Sequence, residues 1–382
     1  MGVEIARYNP NPCEECVSLK PDGEFLGNVL LSLWIEPFLS KNKTVSNSHA
    51  HNWRSLQIAR TFLDLGYHVD VIDYRNGSFN PERKYAFFVA FRTNFERITK
   101  LLNADCMKIV CLDTAHWLFN NSASFRRGLA LQQRKGVTLK GLRTVEANLA
   151  FECADYAIAS GNQFTIGTYN YLQKPLFRMP YPSCSAYPWR EGKNYGSCRK
   201  NYLWFGSGGF IHKGLDLVLD VFAEKPDYHL YVCGPIEGEK DFESFYYREL
   251  YQTPNIHTVG WVDVDSPEFI ALADKCVGLV YPSCAEGGGG SAITCMHAGL
   301  IPIVSYESSV DVDDSYGVIL EECTINGIKH AVESVSGLSA GKLEEMSRKA
   351  WEFAQANHTK ELFAREFRKT IERIAELHNR VI

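Results

Sequence analysis

The stretch VGLVYPSCAEGGGGSAITCMHAGLIPIV, residues 277–304, decides the fold. An apolar strand at 277–281 is followed by Glu286, four glycines, a helical run at 291–298 and a second apolar strand at 300–304. This order makes a βαβ unit whose loop opens onto a helix N-terminus, where free N–H groups and the helix dipole favour a phosphate. A carboxylate next to an anion site is best explained if Glu286 binds an uncharged group, such as a sugar hydroxyl. The pattern therefore predicts a nucleotide-sugar site, and a flexible turn is the alternative interpretation of the glycine run.

A second glycine loop supports ligand binding. Residues 202–205 read as a strand, and Lys213 and Gly214 open an amphipathic helix. The loop between them contains Gly206, Ser207, Gly208 and Gly209. It is not a P-loop, because Lys213 precedes its glycine and no Ser or Thr follows. It is not a dinucleotide fingerprint either, because Ile211 occupies the place of the third glycine.

At these two segments the chain resembles the family 4 glycosyltransferases (group 1 type), which have the GT-B fold. The resemblance rests on the lysine–glycine pair that opens a helix and on a later motif made of Pro282, Ser283, Glu286, Gly287, Met296, Gly299, Pro302 and Val304. Two positions depart from the family pattern. Thr294 stands where a second glutamate holds the donor ribose, and Gly208 stands where an arginine helps to bind the diphosphate. The resemblance covers the C-terminal half closely and the N-terminal half loosely.

The resemblance implies an α/β fold of GT-B architecture, with two Rossmann-like, doubly wound parallel-sheet domains facing across a cleft. The expected boundaries are a polar leader at 1–24, an acceptor domain at 25–185, a linker at 186–200, a donor domain at 201–362, and a C-terminal helix at 363–382 that packs back onto the first domain. Strands expected at 28–34, 68–74, 85–91 and 107–112, with a helix near 56–63, favour the same kind of parallel sheet in the first half.

The resemblance also implies a retaining glycosyltransferase that moves a sugar from a nucleoside diphosphate sugar to a hydroxyl of a glycan, lipid or small molecule. Its expected catalytic residues are His116, Lys213 and Glu286. Lys213 and the N–H groups around both glycine loops would stabilise the leaving diphosphate. Glu286 would hold sugar hydroxyls, and His116, which follows Thr114 and Ala115 after a strand, would reach the donor sugar and the acceptor. A loop histidine at a strand end is the alternative interpretation of His116.

The expected binding residues lie mainly in the same loops. The donor would contact Gly206, Ser207, Gly208, Gly209, Lys213, Trp261, Glu286, Gly287, Gly288, Gly289, Gly290, Ser291 and Thr294. The acceptor would contact His49, His51, Asn52 and Arg54; for the two histidines, a metal pair and plain surface residues are the alternatives. No metal and no cofactor is expected, since the lysine and the helix dipoles supply the positive charge. The basic stretch of Arg134, Lys135, Lys140 and Arg143 is interpreted as a solvated helix face, with acceptor binding as the alternative.

Composition agrees with an enzyme of this kind. A chain of 382 residues is comfortable for two domains, and 45% hydrophobic with 22% charged residues is typical of soluble protein. The net charge of −5 gives no support for nucleic-acid binding. No apolar run is long enough to cross a bilayer, although peripheral contact with a membrane stays open. Twelve cysteines without a secretory signal favour reduced thiols and a cytoplasmic location. Two other functions stay open: a GT-B sugar-nucleotide epimerase, and a nucleotide-sugar-binding relative that has lost catalysis.

Overall fold

The structure is a computed structural model and describes residues 3–5, 12–23, 25–39 and 50–379. The chain forms two α/β domains, each built on its own sheet, of eight and six strands. The predicted fold class is therefore confirmed.

The first sheet has the strand order β1-β2-β4-β3-β5-β6-β7-β8. Its strands are β1 (Val3–Ile5), β2 (Cys16–Leu19), β3 (Gly27–Leu33), β4 (Tyr67–Asp73), β5 (Phe87–Phe91), β6 (Met107–Leu112), β7 (Tyr156–Ala159) and β8 (Leu176–Arg178). All pairings are parallel except β1–β2 and β2–β4, which are antiparallel. The segment 1–24, predicted as a polar leader, therefore supplies the edge strand β1 and its neighbour β2. Val17 and Leu19 alternate with more exposed residues, so one face of β2 reaches the core.

The helices of the first domain cover both faces of this sheet. They are α1 (Glu36–Leu39), α2 (Ala50–Asp64), α3 (Arg92–Thr99), α4 (Trp117–Lys135), α5 (Ala150–Cys153) and α6 (Gln163–Gly167). Each face has its own buried cluster, one around Phe62 and Phe87 and the other around Phe88 and Phe95. Because β5 is buried on both faces, it reads as a continuous apolar run, as strands of parallel sheets do.

The second sheet is parallel throughout, with the order β11-β10-β9-β12-β13-β14. Its strands are β9 (Asn201–Phe205), β10 (His229–Cys233), β11 (Ile256–Gly260), β12 (Gly278–Tyr281), β13 (Ile301–Ser305) and β14 (Val318–Leu320). The helices around it are α7 (Tyr195–Cys198), α8 (Leu215–Ala223), α9 (Lys240–Phe245), α10 (Tyr247–Tyr251), α11 (Pro267–Lys275), α12 (Gly290–His297), α13 (Ile325–Gly337) and α14 (Ala340–Asn357), and α15 (Lys360–Asn379) follows them in the chain. Short 3₁₀ helices lie at Pro12–Glu14, Ile236–Gly238 and Tyr306–Ser308.

The last helix, α15, packs on the first domain. It buries one apolar stripe, Phe363, Phe367, Ile371 and Ile374, in the cluster around Phe62. These positions recur every three or four residues, so they share one face of the helix.

Each sheet has a topological switch point, where the strand order reverses. The chain first adds strands on one side of a central strand and then continues on its other side. In the first sheet β3 lies between β4 and β5, and in the second β9 lies between β10 and β12. Connections at a switch point leave the sheet on opposite faces and open a crevice at the carboxyl ends of the strands, where ligands bind in open α/β sheets. The loops after β9 and β12 are the two glycine loops found in the sequence.

The end of α4 belongs to the interface between the domains. Leu131 and Leu139, from α4 and the segment after it, join the core of the second domain. Arg134 forms ion pairs with Asp216 at 2.6 Å and Asp220 at 3.0 Å, on two successive turns of α8. The interpretation of this basic stretch as a solvated helix face is therefore wrong, because the charges that neutralise it come from the other domain.

Candidate active site

The two switch points enclose a cavity of about 260 Å³. The second domain contributes both glycine loops and the start of α12, and the first domain contributes the start of α2 and the carboxyl ends of β5 and β6. The sequence-predicted residues that line it are His51, Arg54, Gly206, Ser207, Lys213, Trp261, Glu286, Gly287, Gly288, Gly289, Gly290, Ser291 and Thr294. Most of the predicted donor site is therefore brought together in one place.

Lys213 lies at the end of the first glycine loop, just before Gly214. Gly214 has a φ of +71° and caps α8, a conformation that residues with a side chain rarely adopt. The ammonium of Lys213 donates a hydrogen bond to Ser207 Oγ at 3.1 Å and lies 3.9 Å from Glu286 Oε1. Burial lowers the pKa of Lys213 to about 8, and Glu286 opposes this shift. Lys213 is therefore still mostly protonated at neutral pH, but keeping it charged in the buried cleft costs free energy.

Glu286 follows β12 and points into the cavity with an 11% exposed side chain. Its Oε1 accepts hydrogen bonds from Tyr281 Oη and Ser283 Oγ, both at 2.9 Å. Burial would raise the pKa of Glu286, but Arg143 and Lys213 outweigh it and hold that pKa well below its ordinary value. Glu286 is therefore a fixed anion between two cations.

Arg143 completes this cluster from the first domain. Its Nη1 donates to both oxygens of Glu286, at 3.2 and 3.1 Å, and its stem lies over Gly209, where an added Cβ would be 3.0 Å from Arg143 Cδ. Asn120 Nδ2 donates to the Arg143 carbonyl at 3.2 Å and ties the segment to α4. The sequence analysis placed Arg143 on a solvated helix face and missed its contact with Glu286, because an arginine in a long loop carries no signal for a partner 143 residues away.

The second glycine loop is packed tightly against the first domain. A Cβ at Gly287 would lie 2.1 Å from the carbonyl oxygen of Asp113, and Cβ atoms at Gly288 and Gly290 would lie 2.7 and 2.6 Å from the Tyr181 side chain. Thr165 Oγ1 also donates to the Glu286 carbonyl at 2.9 Å. The glycines thus allow the two domains to approach each other closely, as well as leaving backbone exposed to the cavity.

Gly208 and Gly209 lie behind the cavity rather than on it. The N–H of Gly209 donates to the Glu239 carboxylate, and a Cβ at Gly208 would lie 3.2 Å from Glu239 Oε1. The expectation that this N–H group faces the leaving diphosphate is therefore wrong, because Glu239 already accepts its hydrogen bond.

His116, expected to reach the donor sugar, does not line this cavity but a small neighbouring pocket that shares Arg92, Asp113 and Thr114 with it. The chain turns into α4 directly after His116, which is 8% exposed and precedes the first turn of that helix. Its ring packs edge-on against Tyr169 and Tyr171, and its Nε2 lies 3.3 Å from Tyr171 Oη. Burial lowers the pKa of His116. Thr114, two residues earlier, does line the cavity.

The predicted acceptor residues divide into three groups. His51 and Arg54, one turn apart on α2, line the cavity. Asn52 is not among the described residues that line the cavity. His49 lies outside the described residues.

Thr294 lines the cavity from α12. Its hydroxyl donates to the Gly290 carbonyl at 2.9 Å, one turn back in its own helix. The hydroxyl hydrogen is thus occupied, and Thr294 can offer a ligand only an acceptor.

Two further features bear on possible ligands and surroundings. Within residues 3–5, 12–23, 25–39 and 50–379, no three His, Cys, Asp or Glu side chains cluster as metal ligands would. Across the same residues, every helix is too short or too polar to span a bilayer.

One sequence family matches part of the chain, and several solved structures resemble it in fold. Residues 198–352, which contain the whole second sheet, match the sequence family described as glycosyl transferases group 1. No curated protein sequence matches the chain significantly.

Solved structures match over most of the chain. Sucrose-phosphate synthase from Thermosynechococcus elongatus has a TM-score of 0.64 at 15% identity, covering 93% of this chain and all (100%) of that one. HepE from Anabaena, solved with UDP and glucose, has a TM-score of 0.59 at 11% identity, covering 91% of this chain and 99% of that one. TarM has a TM-score of 0.54 at 13% identity. The match covers 74% of this chain but only 53% of TarM, so this chain spans about half the length of that protein. At such identities the likeness shows the fold alone. The protein therefore has the GT-B fold, and over residues 198–352 it matches the group 1 glycosyl transferases.

Proposed function

We propose that this protein is a retaining, metal-independent glycosyltransferase. It would move a sugar from a nucleoside diphosphate sugar to a hydroxyl of a glycan, lipid or small molecule. The observation that carries the proposal is the convergence of Lys213 and Arg143, one from each domain, on the Glu286 carboxylate at the wall of the interdomain cavity.

The charge arrangement suits departure of a diphosphate. The main demand of the reaction is to stabilise negative charge as the bond to the anomeric carbon breaks. Lys213 and Arg143 supply two cations there, and the N-terminus of α12 adds the unpaired N–H groups of its first turn. In this scheme they supply the positive charge that a divalent metal would otherwise provide.

The remaining cavity residues would hold the rest of the donor. Glu286 offers a charged acceptor to sugar hydroxyls and favours positive charge developing on the ring. Trp261, after Gly260 at the end of β11, is 57% exposed and borders the cavity, so it is placed to stack on a nucleotide base. HepE, similar in fold, was solved with UDP and glucose and also with UDP-glucose, which makes these the first ligands to test.

The proposal is tested first by a thermal-shift screen of nucleotides and nucleotide sugars, because a ligand that binds only the folded state raises the melting temperature with its affinity. Transfer is then followed by mass spectrometry, and NMR of the anomeric proton reports whether configuration is retained. Lys213→Ala should lower turnover by roughly 10²–10³. Lys240→Ala, which removes an exposed lysine paired with Glu243 away from the cavity, should not. Equal turnover in both folded variants would contradict the role of Lys213.

A nucleotide-sugar-binding protein without turnover is the second candidate. Thr294 favours it, because the hydroxyl that replaces the family's ribose-binding glutamate is already bonded within its own helix. Tight binding without transfer or hydrolysis would support this candidate, and conversion of the donor sugar without any acceptor would identify an epimerase.

A further inference from the structure

Arg54 is a buried cation on the wall of the cavity. It lies in the second turn of α2, is only 4% exposed, and stacks over the Phe363 ring with 5.5 Å from its guanidinium carbon to the ring centroid. Among the described residues, Nε of this guanidinium is thus buried without a hydrogen-bond acceptor, and the side chain lines the cavity.

Arg54 differs in this respect from the other cations of the cavity. The other three each have a carboxylate partner: Arg92 with Asp113, Arg143 with Glu286, and Lys213 with Glu286. Across the described residues no carboxylate lies within ion-pair distance of Arg54. The neighbouring segment 40–49, SKNKTVSNSH, contains no Asp or Glu. Neither the described residues nor the sequence of segment 40–49 therefore supplies a carboxylate for this charge.

A buried charge without a counter-ion is costly, and buried arginines are ordinarily paired. The guanidinium fork matches the oxygens of a phosphate or a carboxylate. We propose that the cleft binds a second anionic group against Arg54, and that the acceptor carries it as a phosphate or carboxylate. This inference rests on the proposed glycosyl transfer and names the class of acceptor.

Arg54 reaches the cavity from the first domain, whereas Lys213, at the proposed diphosphate end, reaches it from the second. Arg54 belongs to α2 and leans on α15, both packed in the first domain. Lys213 is held by Ser207 of the second domain. The Tyr181 ring lies against the second glycine loop and also borders the cavity. An anion bound by Arg54 would therefore lie against the wall that the first domain provides.

The first experiment measures binding of inorganic phosphate to protein saturated with UDP, so that the diphosphate end is already occupied. Wild type should bind phosphate in calorimetric titration, and Arg54→Gln should weaken this binding at least tenfold while changing UDP affinity less than twofold. Arg60→Gln is the matched control, because Arg60 lies on the same helix but is 69% exposed and faces Asp64. It should behave as wild type.

Stability separates a ligand site from a structural role. If Arg54 has no partner in the free protein, Arg54→Met should melt no lower than wild type without ligand, and Arg54→Lys should keep part of the phosphate binding. A lower melting temperature for Arg54→Met in the absence of ligand would show that the arginine supports the fold instead, and would overturn the inference.

Other outcomes distinguish this inference from the proposed function. If UDP-saturated wild type binds no phosphate, or if Arg54→Gln weakens UDP tenfold, Arg54 belongs to the donor diphosphate and the inference is overturned while glycosyl transfer stands. If no nucleoside diphosphate binds wild type, the proposed function fails and the acceptor assignment fails with it.

Turnover supplies the last test. Acceptors are offered in pairs that differ only in charge, glucose against glucose 6-phosphate and glucose against glucuronate, with each functional donor. Wild type should prefer the charged member at least tenfold, and Arg54→Gln should remove that preference by raising KM for the charged acceptor. Equal use of both members by wild type would overturn the inference.

Discussion

Binding of a nucleoside diphosphate should weaken as the pH rises through about 8, because Lys213 loses its proton there. Its pKa is lowered from 10.5 to about 8, first by burial, against the attraction of Glu286. This shift corresponds to roughly 3 kcal/mol of cost for keeping the lysine charged in the free protein. A bound diphosphate brings the missing negative charge, so binding and protonation of Lys213 reinforce each other.

The size of the effect follows from the fraction of Lys213 that carries a proton. At pH 7 about nine tenths of the free protein carries a proton on Lys213, and at pH 9 about one tenth, so the dissociation constant of UDP should rise about tenfold between the two.

The stability of the unliganded fold should change with pH in the opposite direction. The unfolded chain holds this proton more tightly, so between pH 8 and 10.5 the unliganded fold gains stability from this group as the pH rises.

Isothermal titration of UDP from pH 7 to pH 9 measures this dependence, with Lys213→Met as the reference. The variant is neutral at every pH, and it experiences the same ionisation of the nucleotide itself. The affinity of wild type should fall towards that of the variant above pH 8, and binding at pH 8 should take up about half a proton when buffers of different ionisation enthalpy are compared. Parallel pH profiles for the two proteins would refute the assignment of Lys213 to the diphosphate.

Three further predictions concern the neighbouring residues. Arg143→Ala should lower the free energy of unfolding by about 2 kcal/mol in urea titrations. This loss is smaller than for a fully buried ion pair, because the Arg143 side chain is one-third exposed. Adding Glu286→Gln to the same chain should restore part of the lost stability. Gly287→Ala should separate the domains, because the added Cβ would meet the Asp113 carbonyl. We expect a larger radius of gyration in X-ray scattering and a loss of turnover of about 10²-fold. An unchanged radius of gyration would contradict this prediction. Thr294→Ala should weaken UDP by no more than about 1 kcal/mol in calorimetry, and a larger loss would make Thr294 the main ribose contact.

The amino-acid sequence determined the parts of this protein that depend on local order. Apolar runs alternating with helical periods predicted the parallel sheets; the strand Met107–Leu112 begins and ends where the pattern places it, and the other predicted strands agree to within one or two residues. The spacing of Lys213 and Glu286 from their strands placed both at one cavity, because loops after neighbouring parallel strands leave the same edge of a sheet.

The tertiary structure alone decided how the charges of the cleft are balanced. Arg143 reaches Glu286 from the other domain, and Glu239 takes the Gly209 N–H that the sequence assigned to a ligand. His116 satisfied its sequence pattern, yet its ring packs against Tyr169 and Tyr171 in a small pocket beside the cavity. Arg54 could be named from its position in the chain, but only packing shows that it is buried without a counter-ion. Burial and ion pairing depend on residues far apart in sequence, and Coulomb energies change several-fold between water and a protein interior, so no local pattern can fix them.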